Sequence, residues 1–255
     1  MSKAWAFAPA DGRASTTEVW LIELEPVAQL MQAGDWPAAS PVARISAALT
    51  HAAALESSAW FSLRRAAHLA LRLLLARHAG LEAALAPFQT GFAGKPSLGA
   101  GQPYFSLSHS GNRALCGISW AAEIGVDIEA PRIPRLPPHR REQILAAGVA
   151  LAAGEPLSPA NQDQCFLQAW VRLEAIAKCS GEGMGRLLAR LGVFSGGSTG
   201  AFHGIGAGVR DIPLDLGFVA AVAGPVGDWT GEIQTFPAHR ADMEKLCRGP
   251  HGESL

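Results

Sequence analysis

Two carboxylates two positions apart, Asp127 and Glu129, are the first side chains in this sequence whose spacing suggests chemistry. They lie in Gly125-Val-Asp-Ile-Glu129, whose β-branched residues are typical of a strand. Alternate residues of a strand face the same side, roughly 6–7 Å apart, so both acids share one face. Converging carboxylates repel each other unless a cation lies between them, and an oxygen-only ligand set suits Mg²⁺. Taken alone, two solvated acids at a strand end are the more common arrangement.

A further acid, Glu174, precedes Lys178 by four positions in a segment that favours a helix. Residues four apart lie on one helix face, so the two side chains can meet. The common result of this spacing is a surface ion pair worth about 0.3 kcal/mol. The alternative is a third carboxylate for a metal and a cation for a phosphate, and the spacing alone leaves both open.

Lys95, Ser108 and His109 are further candidates for binding. Lys95 precedes Pro96, and the residue before a proline avoids helical backbone angles, which predicts a turn. A lysine there can reach a phosphate, although such a lysine is more often solvated. His109 ends a predicted strand, where a histidine is more often a structural hydrogen-bonding group, and Ser108 points to the opposite face.

Four segments, taken in this order, resemble the motifs of the 4′-phosphopantetheinyl transferases. They are Gly94-Lys-Pro, Phe105-Ser-Leu-Ser-His-Ser-Gly111, Gly125-Val-Asp-Ile-Glu129 and Trp170-x-x-x-Glu-Ala-x-x-Lys178. The resemblance runs from about residue 63 to residue 223 and is to the surfactin-synthetase-activating type, whose single chain holds two similar halves. The trimeric acyl-carrier-protein-synthase type is shorter.

The resemblance implies an enzyme that moves the phosphopantetheine of coenzyme A onto a serine of an apo acyl, polyketide or peptidyl carrier protein. Coenzyme A would bind in the cleft between the halves with Mg²⁺ on its pyrophosphate, and 3′,5′-adenosine bisphosphate would leave. A single chain of this type implies a monomer.

The resemblance also implies roles for individual residues. Asp127, Glu129 and Glu174 would hold the metal. Asp127, Glu174 and Lys178 would be catalytic, with Glu174 as general base, directly or through a bound water, and Lys178 stabilising the leaving phosphate. Coenzyme A contacts would come from Lys95, Pro96, Ser108, His109, Lys178 and Arg64.

Two positions depart from the family pattern. The family usually has Lys-Glu where this chain has Leu173-Glu174, and Leu173 falls on an apolar stripe with Phe166 and Trp170. We therefore expect Leu173 to be buried and inert, with Arg172 as a candidate for the missing cation.

The second departure concerns the nucleotide. The family has an arginine early in its first long helix, and here Arg64 or Arg65 must supply it. His68 stands where many relatives carry arginine.

The blocks of helical and strand patterns favour an α+β fold over a doubly wound sheet. We predict a pseudo-twofold pair of α+β halves, each a small antiparallel sheet packed on a long helix. The halves are residues 1–121 and 122–226, the second carrying the metal site, followed by a tail at 227–255. The predicted strands are 18–24, 103–110, 113–119, 123–129 and 213–223, and the predicted helices are 58–79, 159–178 and 241–247. Prolines at 131–138 and glycines at 193–209 predict irregular chain.

The composition excludes several classes of protein. The 255 residues have a formal net charge of −1, which does not favour nucleic acid. No apolar run is long enough for a membrane span, and the N-terminus has no signal-peptide core. The four cysteines contain no CxxC pair, so they do not indicate zinc, and their scatter is typical of a reduced compartment. We expect a cytoplasmic protein.

Two arginine clusters flank the motifs in the sequence. They are Arg132, Arg135, Arg140 and Arg141, and Arg186 with Arg190. The resemblance implies a carrier protein with an acidic helix beside its modified serine, and we expect the clusters and the proline-rich linker to bind it. For any single arginine, solubility is the commoner role.

Two other functions fit the same residues. One is a Mg²⁺-dependent hydrolase of a nucleotide pyrophosphate, which needs no carrier. The other is a family member that binds carriers or coenzyme A without turnover. The intact acids and Lys178 disfavour this second alternative, whereas Leu173 and the uncertain arginine keep it open.

Overall fold

The structure is a computed structural model that describes residues 6–7, 15–51, 59–91, 94–152, 161–193, 207–225 and 233–246. Its helices are α1 (Leu24–Ala33), α2 (Pro41–His51), α3 (Ala59–Ala79), α4 (Leu81–Leu85), α5 (Pro138–Leu151), α6 (Gln162–Ser180), α7 (Met184–Arg190) and α8 (Arg240–Leu246). Its strands are β1 (Ala6–Phe7), β2 (Ser15–Glu23), β3 (Gln89–Thr90), β4 (Pro96–Ser97), β5 (Tyr104–Ser110), β6 (Arg113–Ser119), β7 (Gly125–Glu129), β8 (Ala207–Ile212), β9 (Val219–Pro225) and β10 (Ile233–Thr235). None of the helices in these stretches is long and apolar enough to cross a bilayer.

The larger sheet has the order β1-β2-β6-β5, and β10 pairs in parallel with β2. The three long strands β2, β6 and β5 are antiparallel neighbours, and β6 is buried along its whole length. Helix α3 packs on this sheet, and its Leu69 and Leu73 share one hydrophobic core with Trp20 and Ile118. This packing fixes α3 beside β5.

The smaller sheet has the order β7-β9-β8 and is antiparallel throughout. Helix α6 packs on it very closely at Gly125, where a Cβ atom would lie 1.9 Å from the carbonyl oxygen of Ala175. Only glycine allows this approach. It brings the helix face that carries Glu174 and Lys178 next to the acids of β7.

Most of the predicted elements are confirmed within the described residues. The fold is mixed α+β, and strands near 18–24, 103–110, 113–119 and 123–129 and both long helices are present. The predicted irregular chain at 131–138 is wrong only at Pro138, where α5 begins with a proline in its first turn. The predicted strand at 213–223 begins later, at Val219, after a turn.

Other predictions lie partly outside the described residues. The predicted loop at 193–209 is described only at its ends, and its last residues belong to β8. The first residue of each long helix and Cys247 also lie outside them. The boundaries of the halves and of the tail, and the pseudo-twofold relation, stay predictions.

Candidate active site

Three serines on one face of β5 join the two sheets. Ser106 Oγ accepts a hydrogen bond from the backbone of β7 at 3.1 Å. Ser108 Oγ donates to Asp127 Oδ1 at 2.6 Å, and Ser110 Oγ donates to Glu129 Oε2 at 3.0 Å. Because both acids of β7 reach serines of the same strand, they share one face, as the alternation predicts.

Asp127 is a buried carboxylate, with only 3% of its surface exposed. Besides the bond from Ser108, Oδ1 accepts one from Lys178 Nζ at 2.6 Å. The other oxygen, Oδ2, is buried and has no hydrogen-bond partner within the described chain. Burial raises the pKa of Asp127 to about 7; the charge of Lys178 opposes this rise and that of Glu174 adds to it. The alternative of a solvated strand-end acid is therefore wrong for Asp127.

Glu129 lies at the rim of the same face and pairs with Arg132. Its Oε1 accepts a bond from Arg132 Nη2 at 2.8 Å, and its Oε2 accepts one from Nε at 3.2 Å. This two-point geometry holds the carboxylate in a fixed orientation. Arg132, which we expect to bind a carrier protein, contacts Glu129 in this structure.

Helix α6 supplies Glu174 and Lys178. It begins after Asn161, whose side chain accepts a hydrogen bond from the backbone of Gln164 at 2.9 Å, and it ends at Gly181, where φ is 68°. Lys178 Nζ lies 3.8 Å from Glu174 Oε1, farther than its 2.6 Å to Asp127. The ion pair along the helix is therefore the weaker of the two contacts of Lys178.

A cleft of about 570 Å³ lies between α3, β5 and α6. Its lining includes Arg64, His68, Lys95, Pro96, His109, Glu174 and Lys178. The structure thus brings six of the sequence-predicted site residues to one cavity, with His68 beside them. Three cations, one from α3, one from the β3–β4 turn and one from α6, make the cleft suitable for an anion.

The two histidines of the cleft favour the neutral form. Burial, together with the smaller effect of the charge of Arg64, lowers the pKa of His68 to about 4. Burial, followed by the charges of Arg64 and Lys178, also lowers the pKa of His109. Near neutral pH these imidazoles can donate and accept hydrogen bonds without adding charge.

Lys95 lies at the edge of the cleft in the predicted turn. Its Nζ donates to the carbonyl oxygens of Ile124 at 3.0 Å and Cys179 at 3.1 Å, and it pairs with Glu123. These contacts tie the turn to the loop before β7 and to the end of α6. The ammonium thus has a structural role in addition to the predicted phosphate contact.

The structure separates the two arginines that could contact a nucleotide. Arg64 lines the cleft, whereas Arg65 lines a different cavity, against α1 and α2. Ser108 does not line the cleft; its hydroxyl holds Asp127.

Leu173 is fully buried, with 0% exposure, as its place on the apolar stripe predicts. The prediction that Arg172 supplies the missing cation is wrong. Arg172 is also 0% exposed, and its guanidinium binds Asp211 at 2.6 and 2.8 Å. Each helical step turns by about 100°, so Arg172 faces β8 while Glu174 faces the cleft.

Sequence reasoning missed Ser110 and the contact of Arg132 with Glu129. The signal for Ser110 was the alternation Ser106-x-Ser108-x-Ser110, which repeats the spacing of the two acids. Among the described residues, no three His, Cys, Asp or Glu side chains lie close enough together to hold a metal ion in the present arrangement.

About half of the chain matches curated proteins of one family. It is 38% identical over 136 residues to 4′-phosphopantetheinyl transferase AcpT of Salmonella typhi, a segment covering 50% of this chain and 65% of that protein. It is 33% identical over 125 residues to 4′-phosphopantetheinyl transferase HetI of Nostoc sp., covering 46% of this chain and 51% of that protein. No protein-family profile matches the chain.

The chain is thus similar, over about half of its length, to proteins that are named 4′-phosphopantetheinyl transferases. The matched segments span 48% to 65% of the lengths of the relatives.

Proposed function

We propose that the protein transfers the phosphopantetheine group of coenzyme A to a serine of an apo carrier protein. The observation that carries this proposal is the position of the buried Asp127–Lys178 pair beside a cleft lined by cations. A nucleotide with several phosphates suits such a cleft, because its negative charge is matched on three sides. The two sheets with their long helices would be the two similar halves of the family, and the cleft lies between them.

Mg²⁺ fits the acids of this site. Asp127 Oδ2 is a buried oxygen without a hydrogen-bond partner in the described chain, and the neighbouring donors are carboxylate oxygens. Asp127, Glu129 and Glu174 would hold the ion, which requires Arg132 to leave Glu129. Once bound, the ion would offset negative charge on the pyrophosphate.

The chemical step needs positioning and one proton transfer. The serine hydroxyl of the carrier attacks the phosphorus that bears pantetheine, and the bridging P–O bond of the pyrophosphate breaks. Glu174, whose side chain lines the cleft, accepts the serine proton. Lys178 donates to the leaving phosphate of 3′,5′-adenosine bisphosphate. Asp127, which accepts a hydrogen bond from Ser108, holds Lys178 in place for this contact.

The carrier protein would approach over the segment that follows Glu129. Arg135 and Arg140 are exposed there and suit an acidic partner. Arg141 pairs with Asp163, and Arg190 binds Glu182 at 2.5 Å, so these two arginines already serve ion pairs within the chain. A charge-reversal test belongs at Arg135 and Arg140 because both side chains are exposed on this segment.

One assay separates this function from its two alternatives. The protein is incubated with Mg²⁺, coenzyme A and an apo acyl carrier protein or an apo peptidyl carrier domain, and both products are followed by intact mass. Transfer raises the mass of the carrier by one phosphopantetheine group, and excess chelator stops it. Cleavage of coenzyme A without modified carrier would indicate a hydrolase. Binding without either product would indicate a protein that has lost turnover.

A further inference from the structure

Both carboxylate oxygens of Glu129 accept hydrogen bonds from this chain. Arg132 Nη2 donates to Oε1 at 2.8 Å, and Arg132 Nε donates to Oε2 at 3.2 Å. Ser110 Oγ also donates to Oε2, at 3.0 Å. A metal ion binds a carboxylate through the same lone pairs that accept these hydrogen bonds. The guanidinium of Arg132 and a metal ion therefore compete for Glu129.

The guanidinium of Arg132 is within electrostatic reach of all three acids of the proposed metal site. The hydrogen bond to Glu129 raises the pKa of Arg132, burial opposes this rise, and the charges of Glu129, Asp127 and Glu174 add to it. These three carboxylates are the ones that we assign to the metal. Converging acids repel each other unless a cation lies near them, and Arg132 supplies part of that positive charge.

Arg132 is easier to displace than Lys178, the other cation that contacts these acids in the described chain. Lys178 binds Asp127, whose side chain is only 4% exposed. Arg132 lies in the segment between β7 and α5, and its side chain is 47% exposed. Because water screens an exposed ion pair, separating its partners costs less than separating a buried pair.

Ser110 can keep Glu129 in place when Arg132 leaves. Its hydroxyl donates to Glu129 Oε2 and accepts a hydrogen bond from the backbone N–H of Ala130 at 3.0 Å. The orientation of the carboxylate thus depends on β5 as well as on the arginine. Release of the guanidinium would free Oε1 for another ligand while the side chain stays held.

We propose that Arg132 is an internal counter-cation that a divalent ion must displace from Glu129, so that this arginine lowers the metal affinity of the protein. When a ligand needs a group to be released, its apparent affinity falls in proportion to the fraction of molecules in which that group is free. A two-point contact between an arginine and a carboxylate keeps this fraction small. This inference rests on the metal site of the proposed function.

The test measures the binding of Mn²⁺, which takes the same oxygen ligands as Mg²⁺. The ion is titrated without coenzyme A or carrier protein, and free Mn²⁺ is counted by electron paramagnetic resonance. The dissociation constant of Arg132→Gln should be about tenfold lower than that of the wild type, because Glu129 is then free in every molecule. Arg132→Lys keeps the charge but loses the two-point contact, so its value should lie between the two.

Two other arginines provide matched controls. Arg190 donates to Glu182 from Nη2 at 2.5 Å and from Nε at 3.2 Å, and its side chain is 44% exposed. Arg190→Gln thus removes an equivalent ion pair that does not involve the acids of the site. Arg135→Gln removes an exposed charge from the same segment as Arg132. Both variants should bind Mn²⁺ within about twofold of the wild type, because exposed charges at a distance are screened.

The outcomes separate this competition from the metal site and from the transfer activity. If the wild type transfers phosphopantetheine and Arg132→Gln has an unchanged or higher dissociation constant for Mn²⁺, the competition alone is overturned. An equal fall in Arg135→Gln would also overturn it, since net charge rather than the contact with Glu129 would then set the affinity. If neither the wild type nor Arg132→Gln binds Mn²⁺ while circular dichroism shows an intact fold, the proposed metal site is overturned, and this inference with it.

Discussion

Lys178 lies 2.6 Å from Asp127 Oδ1, although its partner by helical spacing, Glu174, is 3.8 Å away. The lysine thus links Asp127 on β7 to the face of α6 that lines the cleft. Because the aspartate is buried, its contact with the ammonium is less screened by solvent than a surface ion pair. The proposed site is built around this link.

Leu173 stands where the resembling family usually has a lysine, and its replacement by alanine tests whether this position belongs to the core. Leu173→Ala should lower the free energy of unfolding by about 2–5 kcal/mol, because it leaves a cavity in a fully packed core. The value of kcat should change little, because the side chain does not face the cleft. Chemical denaturation and steady-state kinetics measure the two effects.

Leu173→Lys provides the complementary variant. It should destabilise the fold, because a buried ammonium without a partner is costly, and it should not accelerate transfer. A large gain in kcat would mean that position 173 reaches the cleft and that its assignment to the core is wrong.

Lys95 is expected to contribute both to stability and to coenzyme A binding. Lys95→Ala removes the hydrogen bonds to Ile124 and Cys179, and loss of a charged donor of this kind costs about 1.5–3 kcal/mol. Calorimetry should show weaker coenzyme A binding, and thermal unfolding should show a lower midpoint. Lys245→Ala, at an exposed surface lysine, is the control. Unchanged affinity together with a lower midpoint would leave Lys95 with a purely structural role.

The lowered pKa of His68 predicts that the stability of the fold depends on pH. Its pKa in the folded protein is about 4, whereas the pKa of a solvated histidine is 6.5, so the unfolded chain binds the proton more tightly. The contribution of neutral His68 is complete above pH 6.5 and is lost progressively as the pH falls toward 4. Each unit of pKa difference corresponds to about 1.4 kcal/mol.

The measurement is the thermal midpoint between pH 4 and pH 8. His68→Gln should lose less stability than the wild type on acidification, while His139→Gln, at an exposed histidine, should follow the wild type. Parallel curves for the wild type and His68→Gln would show that His68 is not held neutral by the fold.

Local patterns predicted the parts of the site that depend on one element. Strand alternation placed Asp127 and Glu129 on one face, and helical spacing placed Leu173 in the core, because both follow from the repeat of the backbone. The same rule, applied to Arg172, would have excluded it from the cleft. The start of α5 was missed because four prolines indicate irregular chain, although one of them occupies the first turn, where a helix tolerates it.

Contacts between distant segments could not be predicted in this way. The bonds of Ser108 to Asp127 and of Arg113 to Asp215 join residues 19 and 102 positions apart. They depend on how the two sheets meet, which no local periodicity encodes. The neutral state of His68 likewise follows from burial, which only the packed structure reveals.

A comparison of the transfer rates of the wild type and the Asp127→Asn variant tests the central claim most directly. Asparagine keeps the size of the side chain but removes the charge that holds Lys178 and would bind the metal. The wild type should convert an apo carrier protein to its phosphopantetheinylated form in the presence of Mg²⁺ and coenzyme A, as measured by intact mass. The variant should be folded and slower by about 100-fold or more. Equal rates for the two proteins, or transfer by the wild type in excess chelator, would contradict the proposed site.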